Sequence, residues 1–456
     1  MTLPSGAAGA VDPAQFDELA AALLSPDPAL DRTTLYLAAE TSDFLRFNEG
    51  ALRQATHVRQ AALTLALESG RRRVESTLTL AGDAALDLPR LVAERDELKA
   101  LLRLVPDDPW LQRPATPATS RRDDAGRLPE PARVIALVHE HARVQRSLDL
   151  VGFYAGGPVV RAFADSLGSR HWHRIESFHF DWCLYRRGDK AVKTRLAGTH
   201  WDDAEFVARL DEAARRAPLL DRSPLRLAPG AYRAAFAPDA MVELVSMLGW
   251  GGFSLKQRRT GVSPLVRLER GDAFAAGFDL DEATGAGIAP AFTAEGFVRP
   301  ERVALVERGR LPDSGGTLNS PRSALEYGVP ANGAQASEAP ESLRLAPGTV
   351  AAGELLRALD TGLYVGHLWY LNFSDRQACR MTGMTRFACL WVERGTPVAP
   401  VEVMRFDDDA LRLFGPGLEA LASESEFVPN GDTIGARTPG SVTVPAALVE
   451  GFRLTL

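Results

Sequence analysis

The chain has 456 residues, of which 45% are hydrophobic and 24% charged, with a net charge of −7 and a sequence pI near 5.7. That length exceeds one ordinary core and implies two or three domains. No apolar run approaches the roughly 18 residues needed to cross a bilayer, and the arginine pairs are scattered among acids, so neither a membrane nor nucleic acid is an expected partner.

The opening MTLPSGAAGAVDPAQF has neither the basic stretch nor the apolar run of a secretory signal. Three cysteines, Cys183, Cys379 and Cys389, are few, odd in number and without a CxxC pair. They suit a reducing cytoplasm better than a disulfide framework or a cysteine-rich zinc site.

In chain order, a first helix is predicted around 13–24. TTLYLAAETSDFLRFNEGALRQATHVRQAALTLALESGRRRVESTLTL alternates apolar and polar residues, with turns at Asn48-Glu49-Gly50 and Ser69-Gly70. It predicts an antiparallel meander, followed by a helix over 88–104. RPATPATSRRDDAGRLPEPA, residues 113–132, has no periodicity and reads as a linker. PARVIALVHEHARVQRSL places Val134, Leu137, His141, Val144 and Leu148 at helical spacing.

A second meander is predicted over 149–201, with Gly156-Gly157 and Gly188-Asp189 as turn signals. Asp202 or Asp203 caps a helix carrying Phe206, Leu210 and Ala214 on one face. The rest opens with a strand and a helix in PLRLAPGAYRAAFAPDAMVELVSMLGWGG and ends in a β-rich run from Tyr364 to Phe406. Between them, 311–343 is a long loop rich in Gly, Ser, Pro and Asn, and loops of that kind are usually functional. Meanders with helices gathered between them predict an α+β fold of antiparallel sheets. The domains expected are an N-terminal α/β domain (1–112), the linker (113–132), a central domain (133–222) and a larger β-rich C-terminal domain (223–456).

HWHRIESFHFDW, residues 171–182, holds three of the eight histidines. In a strand, His171, His173, Ile175, Ser177, His179 and Asp181 share one face. His171 and His173 are spaced for a metal, but His179 lies about 20 Å from His173 along an extended strand, and no third donor is near in sequence. A polar face turned toward a groove or partner is the simpler expectation. His139 and His141 in HEH are two apart, about 200° around a helix, and fail the geometry of HExxH. There is no GxSxG, P-loop or GxGxxG, and Cys379 and Cys389 lie in apparent strands with no histidine beside them.

Read together, DFLRFNEGALRQ, DLVGFYAGGPVVRAFADSLG, KAVKTRLAGTHWD, FAPDAMVELVSMLG, LDTGLYVGHLWYLNFSDRQACRMTG and FACLWVERGTPVAPVEVMRF resemble, in order and spacing, the TldD/PmbA (modulator of DNA gyrase) metallopeptidase family. The resemblance runs from about Thr33 to the end. Catalytic TldD-type members resemble zinc peptidases with HExxxH on a helix of the C-terminal domain and a cysteine ligand near the C-terminus. Set against that motif, Val242-Glu243-Leu244-Val245-Ser246-Met247 keeps Glu243, but the histidines become Val242 and Met247. No histidine occurs between His200 and His367, and NGDTIGARTPG, the stretch matching the cysteine region, has no thiol. Positions five apart also sit about 140° apart on a regular helix, so such ligands converge only where the helix unwinds. Valine and methionine offer zinc neither an imidazole nor a charged donor.

The resemblance therefore implies a TldE/PmbA-like chain with no cofactor of its own, Glu243 being a general base only where a metal is present. The implied partner is a TldD-type chain carrying the zinc, the pair processing small or unfolded peptides in the cytoplasm. Peptide contact by strand addition is expected at the loop 314–342 and at Tyr370, Asn372, Ser374, Asp375 and Arg376. Two alternatives stand beside it: an independent peptidase with a metal relocated to His171 and His173, and a non-enzymatic homodimeric scaffold.

Overall fold

The structure is a computed structural model and describes residues 12–144, 149–188 and 190–455. Leu148 and Asp189, placed above in a helix and a turn, lie outside the described residues. The fold is α+β, built on two large and mainly antiparallel sheets. No helix among the described residues is long and apolar enough to cross a membrane.

The first sheet comprises β1 (Arg32–Asn48), β2 (Ala51–Ser69), β3 (Arg72–Thr79), β4 (Thr119–Asp124), β5 (Asp149–Asp165), β6 (Arg170–Arg187) and β7 (Lys190–Gly198). Its order is β3-β2-β1-β5-β6-β4, with β7 also on β6. Because β1 pairs directly with β5, the segments on either side of 113–132 share one sheet. Part of the expected linker is itself a strand, since β4 pairs parallel with β6 from Thr119↔Arg170 to Asp124↔Ile175. Its polar sequence, TSRRDD, suits an edge strand with little to bury, which is why no alternation marked it.

Gly156-Gly157 is likewise not a turn but a distortion inside β5. Gly157 has φ +140°, and a Cβ there would lie 2.1 Å from the Thr41 carbonyl oxygen, so only glycine lets β1 and β5 approach this closely.

Helices α1 (Pro13–Leu23) and α2 (Ala84–Leu102) cover one end of this sheet. Asp12 caps α1 by accepting from the Gln15 amide at 2.8 Å, and Pro13 fits the first helical turn. Phe16, Leu19 and Leu23 then point into a core with Leu35, Leu63, Leu65 and Leu98. At the other end, α3 (Pro131–Val144) and α4 (Asp203–Arg216) bring Val134, Leu137, Phe206 and Leu210 onto Phe178, Phe180 and Trp182. Asp202 is the α4 cap. His139 on α3 accepts from the Leu52 amide at 3.3 Å, which gives the HEH segment a local partner.

The second sheet comprises β8 (Gly230–Phe236), β9 (Leu280–Glu282), β10 (Val303–Val306), β11 (Ser342–Leu345), β12 (Gly362–Asp375), β13 (Arg380–Glu393), β14 (Thr396–Pro400), β15 (Arg405–Asp409), β16 (Leu418–Pro429) and β17 (Ser441–Leu454). Helix α5 (Pro238–Gly249) packs on β12 and β17. Its Met241, Leu244, Val245 and Leu248 join Phe236, Val365, Leu368 and Val444 in the largest core. A short helix, α6 (Leu255–Arg259), follows, and the 311–343 loop contains α7 (Pro321–Tyr327), capped by Ser320.

The two sheets meet along the odd-numbered face of β6, so both faces of that strand are buried. Trp172, Phe178, Phe180 and Trp182 face their own helices, while His171, His173, Ser177 and His179 are buried on the other side. The seam is polar. Arg437, on the loop joining β16 to β17, enters the first sheet and donates to Ser42 Oγ (3.1 Å), the Gly157 carbonyl (3.0 Å), the Ser177 carbonyl (2.6 Å) and Ser177 Oγ (2.9 Å). One guanidinium thus ties β1, β5 and β6 to the second sheet.

Removing this side chain leaves several buried acceptors unmet, which costs about 1–3 kcal/mol for each group. Arg437→Ala is expected to lower unfolding stability by about 3 kcal/mol in urea titrations. Arg437→Lys should recover only part of it, because an ammonium cannot reproduce the planar fork.

Candidate functional site

A cleft of about 610 Å³ lies where the two sheets meet. Its walls come from segments far apart in sequence. Strands β6 and β7 supply His179, Asp181, Lys193 and Arg195, α5 supplies Val242, Glu243 and Ser246, and β12 supplies His367. The end of the long loop adds Ala339, Pro340 and Glu341, and the β16–β17 loop adds Asn430, Gly431, Thr438 and Gly440.

Local structure explains each contribution. In α5 the residues on the cleft are 242, 243, 246 and 249, one stripe at helical spacing continued by Trp250 just past the helix, while the opposite stripe is core. Gly249 ends the stripe, and a Cβ there would lie 3.0 Å from Pro340 Cγ and 3.2 Å from Leu343 Cδ1. On β6 and β7 the antiparallel register sets Asp181 directly opposite Arg195, a favourable cross-strand charge pair. His367 follows a register shift between β12 and β13, opposite which Phe387 takes φ +56°. Bulges of this kind re-aim side chains and break simple alternation. His179 packs on Gly431, where a Cβ would come within 2.8 Å of the imidazole.

Most charges in the cleft are paired. Arg195 binds Asp239 at the start of α5, Glu341 pairs with the buried Arg299, and His179 Nδ1 stands 3.5 Å from Asp181. Burial pushes the Asp181 carboxyl up, but His179, Lys193 and Arg195 more than offset it, so the group stays below its ordinary value. Burial opposes the charge of Arg195 too, and Asp239 and Asp181 more than restore it.

Three side chains differ. Lys193, Glu243 and His367 have no hydrogen bond or ion pair among the described residues. His367 is only 6% exposed, and its Nδ1 is fully buried without a partner. Burial, reinforced by Lys193, drives its imidazole down to about 3, so the ring is neutral. Burial raises the Glu243 carboxyl above its ordinary value, and Lys193 and Arg195 hold it back in part.

The structure separates the two degenerate motif positions. Val242 lines the cleft, whereas Met247 is 4% exposed and lies in the core. The helix stays regular through Gly249, so the two positions never converge. No three His, Cys, Asp or Glu side chains come together as a metal site among the described residues, and the residues present do not fit the zinc that the family resemblance implies.

His171 and His173 are engaged elsewhere. His171 Nδ1 bonds Ser120 Oγ at 2.8 Å and its ring stacks on Phe292, while His173 Nε2 bonds the Ile288 carbonyl at 2.9 Å. All three thiols are pushed up by burial, Cys183 to about 11 and Cys379 and Cys389 to about 12, which disfavours a reactive thiolate.

The hairpin residues do not line the cleft; they sit on the outer half of β12 and its turn, and only Arg376 among them touches a cleft residue, Trp250. Tyr370 is 79% exposed at φ +59°, and Asn372 is also exposed. Ser374 bonds Asp407 at 3.1 Å, Asp375 accepts from the Ala378 amide at 3.0 Å, and Arg376 bonds the carbonyls of Val262 and Trp250. From the sequence, Lys193, Arg195 and His367 had no marker as site residues. The one signal was KTR at 193–195, which puts two cations on one face of a strand beside that of His179 and Asp181.

His367 and His173, the latter held at about 4 by burial, both fall below the ordinary 6.5. The unfolded chain therefore binds the extra protons between those values, and stability rises with pH across that window. The contribution is fully present above about pH 6.5 and is lost as pH falls toward 4 and 3, by at most about 1.4 kcal/mol per pH unit for each ring. Urea unfolding between pH 5 and 7 should give His367→Gln a shallower slope than the parent, and parallel slopes would contradict the buried neutral ring.

Comparison with known proteins adds a family and a fold. The sequence model for the PmbA/TldA metallopeptidase C-terminal domain matches residues 229–456. No curated protein sequence matches the chain. Among solved structures, TldE from Thermococcus kodakarensis superposes with a TM-score of 0.77 at 13% identity, covering 94% of this chain and 97% of that one. A protein described as a modulator of a DNA gyrase, from Thermotoga maritima, gives 0.76 at 14% identity over 96% and 99%. A similarly described protein from Bacteroides thetaiotaomicron gives 0.72 at 14% over 98% and 99%. Such identities speak for the fold alone, whereas the family match spans the whole second sheet and α5: the chain belongs to the TldD/PmbA metallopeptidase family.

Proposed function

We propose that this chain is a TldE/PmbA-like, metal-free subunit of a two-chain zinc peptidase, contributing a peptide-contacting cleft while a TldD-type partner carries the metal. The observation that supports this most is the parting of Val242 and Met247 on an unbroken helix. The cleft remains, with Glu243 on its wall, but the position of one lost ligand now fills the core. Re-creating the motif would require unwinding a packed helix as well as two substitutions.

In this reading the cleft and the neighbouring loop hold peptide main chain, and the exposed Tyr370 and Asn372 offer an outer contact. Hydrolysis takes place on the partner's metal. Affinity purification of the tagged chain from its native host is expected to recover a second family member bearing HExxxH, and peptide hydrolysis is expected from the mixture but not from this chain alone. Stoichiometric zinc with hydrolysis in the lone chain, or recovery of a pure homo-oligomer, would overturn the proposal.

A further inference from the structure

Among the described residues, the titratable groups of the cleft without a hydrogen bond or ion pair are one ammonium (Lys193), one carboxyl (Glu243) and one neutral imidazole (His367). Their neighbours are already engaged, Arg195 by Asp239 and Glu341 by Arg299, while Asp181 lies beside Arg195 and His179, whose imidazole burial holds down. Lys193 and Glu243 face the same space without closing an ion pair on each other.

This pattern selects among ligands. An apolar ligand would bury three polar groups with nothing to satisfy them, at a cost of one to several kcal/mol each. A phosphate-like anion would meet, among the described cleft residues, one cation without a partner, beside Glu243 and Asp181. A metal cation would meet Lys193 and Arg195, with no three donors converging among the described residues. What matches is a small ligand bearing both charges.

The geometry points to a zwitterion site: the cleft binds a ligand with a free carboxylate and a free ammonium, the carboxylate on Lys193, the ammonium on Glu243, and His367 providing a further polar contact. A free amino acid and a short peptide with uncapped termini share this chemistry. The inference rests on the reading of the cleft as a peptide-contacting site. It is measurable on the lone chain, so its failure leaves the co-purification result untouched.

Burial raises the Glu243 carboxyl and Lys193 and Arg195 hold it back only in part, so a ligand ammonium placed on it would favour its charged form. The volume is also of the size that holds small molecules rather than a folded partner.

Calorimetric titration of the full chain with L-alanine, trialanine, N-acetyl-trialanine and trialanine amide tests it. Expected are binding of at least one uncapped probe and a loss of tenfold or more with either cap. Binding by alanine assigns the free amino acid, and binding by trialanine alone assigns the peptide. In Lys193→Met the amide cap should no longer weaken binding while the acetyl cap still does, and Glu243→Gln should show the converse. No binding of either uncapped probe at millimolar concentration, or equal binding of capped and uncapped trialanine, would overturn the proposal. So would two folded variants that weaken every probe alike, and the cap series on the parent chain decides even where a variant fails to fold.

Discussion

The architecture depends on one buried guanidinium. Arg437 crosses from the second sheet into the first and gives its protons to oxygens on three neighbouring strands. A buried arginine lacking such acceptors would be strongly unfavourable. Its burial is tolerated because Gly157 deforms β5, because Ser42 and Ser177 lie on the inward face, and because Glu40 stands near. The position of the β16–β17 loop, and with it one wall of the cleft, follows from this contact.

Around that joint the seam is built from directed contacts. Arg32 bonds Asp165 on its own sheet and the Glu295 carbonyl across the seam, Arg122 reaches the Gly287 carbonyl, and His173 reaches that of Ile288. Directional bonds fix register where apolar packing alone tolerates sliding. A cleft between two sheets keeps its shape only if the sheets cannot shift, and this one holds three titratable groups that no described residue bonds or pairs. For the buried His367 Nδ1 this is costly to the folded chain alone, which is the physical reason to look for what answers it.

Much of the fold was legible because periodicity is local. The two meanders announced themselves by alternation and turn signals, and α4 by Asp202 or Asp203 ahead of an apolar stripe. The failures also have local causes. TSRRDD carries no alternation because an edge strand need not bury a face, and Gly156-Gly157 looked like a turn because glycine marks any unusual backbone, including a kink inside a strand. The α5 wall could be read from the family resemblance. Lys193, Arg195 and His367 could not, since they meet only when two sheets dock and since a register shift hides the facing of His367. The histidine-rich strand was read as a polar face toward a groove or partner; the structure sets His179 on the cleft and His171 and His173 against the chain's own β9–β10 loop.

Gly249 carries a last implication. Helix α5 and the segment Pro340–Leu343 are nearly in van der Waals contact at a residue with no side chain. The close fit between them depends on a missing methyl group, and even an alanine would press on the Pro340 and Leu343 side chains and shift them by a few tenths of an ångström. The width of the cleft at its α5 wall is thus sensitive to the smallest possible substitution, one that removes no group lining it.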